Sequence, residues 1–353
     1  MTTDQGLRVR FAGDPALRTT TGLCAAVLVF AALREAASVF VPAAFALFII
    51  AVVWPLQRLL ERWLPKGLAL IVSLVVALFT VVKLATLVAW GFARVGQWTV
   101  SNASRFQEIY LRQAEWLEGH GIPVAGLVAD HFDMRWVVWL AQNVTGQLQG
   151  FVSFLTVTLV FTILGMLEVG IIRDKLVTMG RNGEGTRLLR ACQQIAAKLQ
   201  TYMLVRSVMS ALTGLSIWAF ALAAGLELPV EWGVIAFALN YIPFLGPLVA
   251  TVFPTLFAAL QFGSWEMPLF VFLSLNAIQF LSGSYIEPRL AGRAVSVSPF
   301  LVLFAVFFWS FLWGIAGAFI GIPITIALLI VCAQYDSTRW VAQLLSGRGG
   351  VSG

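Results

Sequence analysis

Charge is what this sequence has least of. Only 11% of its 353 residues are Asp, Glu, Lys or Arg, where an ordinary soluble domain carries about a quarter. That deficit argues against a soluble globular protein. There are two histidines, His120 and His131, and three cysteines, Cys24, Cys192 and Cys332. The cysteines lie far apart, in or beside apolar segments and without CxxC spacing, so neither a disulfide framework nor a thiolate metal site is indicated. Both histidines fall in one connecting segment with no acid at ligand-like helical spacing, and no metal or other cofactor is expected. A nucleophile elbow, a phosphate-binding loop and a zinc motif are all missing, which leaves an enzyme reading nothing to rest on.

What is present is apolar: 59% of the chain belongs to the hydrophobic class. A helix needs about 20 apolar residues to cross a hydrocarbon core roughly 30 Å thick. Candidate spans fall at 20–33, 36–57, 67–93, 148–172, 205–225, 230–261, 267–286 and 298–333. The expected fold is therefore an all-α polytopic integral membrane protein of about eight transmembrane helices. Arg8, Arg10 and Arg18 ahead of the first apolar run superficially resemble a secretory leader. A second run follows almost at once without a small-residue cleavage site, so an uncleaved first helix is expected.

The net charge of +6 is read as a membrane signature rather than a nucleic-acid one, since lysine and arginine gather on the cytoplasmic side of a bilayer. Arg8, Arg10 and Arg18 place the N-terminus there, as Arg58, Arg62 and Lys66 place the turn after the second span. Segment 94–147 holds four arginines against Glu108, Glu115, Glu118, Asp130 and Asp133, and reads as extracytoplasmic. The connection 173–206 carries seven basic residues against Asp174 and Glu184 and returns to the cytoplasm. Glu227 and Glu231 then face outward, and Arg289, Arg293, Arg339 and Arg348 inward. Alternation survives only if the long segments 230–261 and 298–333 contain broken helices, as re-entrant hairpins or paired short crossings. The organisation that follows is a cytoplasmic tail 1–19, three transmembrane helices over 20–93 and an extracytoplasmic helical segment 94–147. A transport region over 148–333 comes next, with a cytosolic amphipathic helix at 186–203, and then a cytoplasmic tail 334–353.

Polar groups inside hydrocarbon must face protein, a partner or water. They are Lys83, Glu168, Asn240, Gln261, Asn276, Gln279, Ser282, Ser284 and Glu287, most of them in the last third. Lys83 and Glu168 are candidate coupling residues, with snorkelling and an interfacial pair to Arg173 as their bland alternatives. Proline removes a backbone donor and breaks the preceding turn, so "NYIPFLGP" at 240–247 leaves backbone groups that only a buried or water-lined place tolerates. "WGIAGAFIGIP" at 313–323 is its counterpart, and aligning Pro254 with Pro323 gives a weak internal similarity. Paired segments broken by glycine and proline point to a transporter's binding site, although Gly314, Gly317 and Gly321 also serve close helix packing.

Three blocks, "NYIPFLGPLVATVFP" (240–254), "YIEPRLAGRAVSVSP" (285–299) and "WGIAGAFIGIPIT" (313–325), resemble in order and spacing the AI-2E (PerM-type, autoinducer-2 exporter) family of transporters. The resemblance is strong over the last third and elsewhere rests on hydropathy. It implies an inner-membrane, multi-pass protein of about eight helices assembled as a homo-oligomer, a pentamer. Some members export the quorum-sensing furanone autoinducer-2 and others extrude sodium or lithium against protons. Carried over residue by residue, it selects Asn240, Tyr241, Pro243, Gly246 and Pro247, then Glu287, Pro288, Arg289, Gly292 and Pro299, then Gly314, Gly317 and Pro323. Many relatives have histidine before the proline matching Pro299. This chain has Ser298, so a proton relay there does not carry over.

The resulting expectation is a secondary transporter exporting a small polar solute such as autoinducer-2, with the lipid bilayer as its partner and no nucleic acid. Asn240, Asn276 and Gln279 would offer amides to the solute, and carbonyls near Pro243 and Gly246 would coordinate a cation. Glu287 would act as an ion-sensitive gate, or simply pair with Arg289. A sodium(lithium)/proton antiporter, using sodium or protons, and a non-transporting membrane scaffold are the alternatives.

Overall fold

A computed structural model describes residues 15–102, 135–179, 184–291 and 298–345, and among these every regular element is helical. The elements are α1 (Pro15–Glu35), α2 (Ala37–Leu60), α3 (Lys66–Ser101), α4 (Arg135–Met179), α5 (Glu184–Ala223), α6 (Pro229–Leu239), α7 (Leu245–Phe262) and α8 (Glu266–Phe280). A π-helical turn, Leu281–Ile286, then leads into α9 (Glu287–Ala291), followed by α10 (Pro299–Gln334) and α11 (Arg339–Leu345). Seven described helical stretches are long and apolar enough to cross a membrane, and α1 is a further apolar helix ahead of them. The chain is a multi-pass all-α membrane protein.

Both long apolar segments fold back on themselves. At 240–244 a turn separates α6 from α7, and the far ends of the two helices meet, with the Glu227 amide donating to Gln261 Oε1 at 2.9 Å. The Trp232 and Phe257 rings lie 5.2 Å apart along the same seam. At 11 residues α6 reaches only about 16 Å, too short to cross hydrocarbon. Hairpin 1 therefore starts and ends on one face of the bundle. Hairpin 2 lies within α10, where Trp313 and Gly314 leave helical geometry. Trp309 Nε1 donates to Thr325 Oγ1 at 3.3 Å across this break, a contact that sixteen residues of straight helix would place about 24 Å apart.

One device closes both hairpins. A side chain on Gly246 would collide with the Leu239 carbonyl, and one on Gly317 with the Trp309 carbonyl. Glycine lets the second limb press against the backbone of the first. Hairpin 1 docks on α5 in the same way: a Cβ on Gly214 would lie 2.8 Å from the Gly233 carbonyl, and one on Gly233 2.9 Å from that of Gly214. The core beside this crossing holds Ile217, Trp232, Ile235, Phe257 and Leu275.

The bundle has two distinct ends. At one, Gln200 Nε2 donates to the Ala51 carbonyl at 2.7 Å and Gln334 Nε2 to Gln194 Oε1 at 3.0 Å. The arginines and lysines flanking these sites, from Arg58 to Lys66 and from Arg187 to Lys198, make this the basic face. At the other, Arg94 Nε meets Glu231 Oε1 at 3.2 Å and Trp98 Nε1 donates to the Glu227 carboxylate. Here the structure differs from the segmentation read from sequence. Residues 94–101 continue α3, residues 135–147 belong to α4, and 186–203 are the first half of the unbroken α5 rather than a separate surface helix. Leu199 and Tyr202 are buried because the amphipathic stripe of that stretch packs into the bundle. Most of segment 94–147, its two histidines included, lies outside the described residues.

Candidate functional site

A cavity of about 690 Å³ lies between α5, the tip of hairpin 1, the π-helical turn and the start of α10. α5 contributes Tyr202, Arg206 and Met209 at successive i, i+4 and i+7 positions, a single stripe of the helix. The hairpin tip adds Asn240, Pro243, Phe244 and Pro247. Gln279, Ser282, Gly283 and Ser284 come from the end of α8 and the π turn, and Glu287, Pro288 and Pro299 complete the wall. A π turn widens one turn of helix and turns its side chains out of register with the rest, a feature frequent at functional sites.

The electrostatic centre is an ion pair. Arg206 Nη1 lies 3.2 Å from Glu287 Oε1 and 3.4 Å from Oε2, with Arg206 buried. This pair cancels charge, so the cavity wall is neutral overall, mostly apolar with a few polar groups. The Tyr202 hydroxyl, Arg206 Nε and Gln279 Nε2 are buried without a hydrogen-bond partner. Such groups are uncommon because each costs about 1–3 kcal/mol. Asn240 Nδ2 donates to Ser210 Oγ at 3.3 Å, and the Tyr241 hydroxyl and Ser207 Oγ are 2.9 Å apart, which ties the hairpin tip to α5.

Of the residues singled out in the sequence, the cavity brings together Asn240, Pro243, Pro247, Gln279, Glu287, Pro288 and Pro299. Tyr241 stands behind the wall, its ring against Phe237 and Phe319, and Gly246 is buried at the limb junction. Asn276 is exposed and donates to the Phe272 carbonyl of its own helix at 2.8 Å. Gly314, Gly317 and Pro323 build hairpin 2 and do not themselves line the cavity, although Val302 and Ile322 of the same hairpin do. Lys83 is exposed on α3 with Nζ 5.5 Å from the Phe79 ring centroid, and Glu168 is exposed on α4. Gly292 lies outside the described residues.

One expectation is corrected. Glu287 does not pair with Arg289; it pairs with Arg206, and the Arg289 guanidinium sits 3.8 Å from the Tyr285 ring centroid. Two residues apart on a helix, side chains 287 and 289 do not share a face. Four carbonyls of the hairpin tip already accept backbone hydrogen bonds. Those of Leu239, Ile242, Pro243 and Phe244 accept from Ile242, Gly246, Leu245 and Leu248 respectively. Sequence reading missed Arg206, counting it among the loop charges of 173–206. The signal available was the stripe Leu199, Tyr202, Arg206, Met209, which continues at helical spacing.

An apolar helical bundle with two internal hairpins and a neutral cavity at a hairpin tip, holding a buried ion pair, is the architecture of a membrane transport protein. The chain matches the family model of the AI-2E family transporters over residues 23–337 and belongs to that family. It is similar to the AI-2 transport protein TqsA of Escherichia coli (strain K12), 28% identical over 323 residues covering 91% of this chain and 93% of that protein. A putative transport protein of Haemophilus influenzae is 25% identical over 339 residues, 93% of this chain and 96% of the relative. One from Borreliella burgdorferi is 30% identical over 202 residues, 57% of this chain and 55% of that protein.

Proposed function

We propose that this protein is a secondary transporter that exports a small polar solute by alternating access, with the tip of hairpin 1 gating the cavity. The observation that carries this reading is the cavity itself, a largely apolar space with a few polar groups gathered around the Arg206–Glu287 pair and a helix break in its wall. Three unmatched donors there favour a solute rich in acceptor oxygens, and the neutral wall favours one without net charge. The similarity to an AI-2 transport protein makes AI-2 the first solute to try.

Sodium/proton antiport receives less support. Glu287 is the only carboxylate on the cavity wall among the described residues, and it is held by Arg206. The same proposal places the protein in a bacterial inner membrane as a homo-oligomer, a pentamer, with the basic face cytoplasmic and both termini on that side. Purified protein in proteoliposomes tests it. AI-2 efflux without a cation-dependent pH change is expected, and Pro243→Leu with Pro247→Leu should insert normally yet lose flux. Cation-coupled pH changes would favour antiport, and absence of any flux would leave only a scaffold.

A further inference from the structure

The two hairpins break their helices by unlike means. Hairpin 2 turns at Gly314, where φ is 61° and ψ is −142°, a region glycine occupies without a Cβ penalty. Hairpin 1 turns at Phe244, where φ is 63° and ψ is −50°. The Leu245 amide donates to the Pro243 carbonyl at 2.7 Å, closing a three-residue γ-turn of the rarer, strained hand. Leu228, the other described non-glycine residue with positive φ, has φ 60° and ψ 43° and sits in the ordinary left-handed basin. Phe244 therefore has the less favourable backbone geometry of the two described non-glycine residues with positive φ, and it lies on the cavity wall.

The surroundings differ in the same sense. The tip of hairpin 2 is pinned by Trp313 Nε1 donating to the Leu33 carbonyl at 3.0 Å, and Trp309 fills the space over Gly321. At the tip of hairpin 1, Asn240 and Tyr241 bond Ser210 and Ser207 of α5, but Phe244 itself is 51% exposed, with Leu245 and Leu248 exposed beside it. Strain persists only where the surroundings hold it, and it concentrates at elements that switch.

We infer that hairpin 1 is the moving gate and hairpin 2 the fixed wall, and that the γ-turn at Phe244 holds the described state as the strained member of the transport pair. This rests on the gating reading above. Phe244 is a positioning residue: its backbone sets the balance between states, independently of what its ring touches. Glycine at 244 removes the penalty, whereas alanine keeps it and removes only the ring.

The test needs no known cargo. Cys24, Cys192 and Cys332 are changed to serine, Ser284→Cys is introduced on the cavity wall, where the side chain is exposed, to give the parent protein, and a membrane-impermeant thiol reagent is applied from each face of oriented proteoliposomes. Phe244→Gly, which relieves the described state, is expected to change the parent ratio of labelling between the two faces by roughly fivefold to a hundredfold, while Phe244→Ala keeps the parent ratio. Equal shifts in both variants, or none in either, overturn the strain proposal. Gating by hairpin 1 falls separately if the introduced thiol of the parent is reached from one face only. Gly314→Ala, which imposes strain on hairpin 2, should lower thermal stability and leave the ratio unchanged; a shifted ratio would also overturn the assignment of hairpin 2 as fixed.

Discussion

Arg206 on α5 and Glu287, the first residue of α9, form an ion pair at 3.2 Å across 81 positions of sequence. The pair joins a long bundle helix to the segment just beyond the π turn, and both partners line the cavity. Its value is asymmetric. Arg206 is buried while the Glu287 side chain is 29% exposed, so removing the acid strands the more deeply buried charge. Glu287→Gln should therefore destabilise the protein by about 2–4 kcal/mol, and Arg206→Met by less, because Glu287 can turn toward water. Thermal unfolding of the two variants and their double mutant checks this, and the double mutant should regain part of the loss.

A similar asymmetry holds at the other face, with the signs exchanged. Glu231 is buried and Arg94 is half exposed, their side chains 3.2 Å apart. Arg94→Gln leaves a buried carboxylate without its cation, at roughly 2–4 kcal/mol. Glu231→Gln leaves an arginine that water re-solvates, at about 1 kcal/mol or less. Equal losses in chemical or thermal unfolding would show that Arg94 contributes nothing beyond solvation.

The limb junctions give a prediction about shape. Alanine is ordinarily the better helix residue by about 1 kcal/mol, and Gly96, with open space around it, should follow that rule. Gly246→Ala and Gly317→Ala should do the opposite, because each new methyl meets a carbonyl of the facing limb. Backbone must move to admit it, at about 1–3 kcal/mol. Melting temperatures of the three variants in one detergent separate helix propensity from hairpin closure.

How much of this was legible follows from the range of each interaction. The two hairpins could be read because their causes are local: Pro243, Pro247, Gly314 and the limits on helix length act within a few residues. Arg206 could not, since its identity as a cavity residue depends on α5 continuing unbroken past 203 and on a partner 81 positions away. Neighbouring basic residues at Arg187, Arg190 and Lys198 made it look like one more loop charge. The open carbonyls expected near Pro243 were a reasonable consequence of proline. The turn pairs some of them, through the γ-turn and the Gly246 amide.

Asn276 and Gln279 put the boundary of the site to the test, because sequence alone gave them the same standing. They are three residues apart on α8, yet Gln279 lies on the cavity wall with Nε2 buried and unmatched. Asn276 is exposed on the outer side of the helix, with its amide turned back to the Phe272 carbonyl. Folding has thus left one amide nitrogen without a partner beside the cavity and bonded the other within its own helix. Gln279→Ala removes a donor that only a solute or a rearranged cavity would satisfy, so it should weaken solute binding by about tenfold, the equivalent of one hydrogen bond at ~1.4 kcal/mol. Stability should stay level or rise slightly, because an unmatched buried donor has gone. Asn276→Ala should leave the concentration dependence of flux where it was. Were the two variants to raise the half-saturating solute concentration equally, the solute path would have to include the outer side of α8, and the cavity beside Arg206 would not be its site.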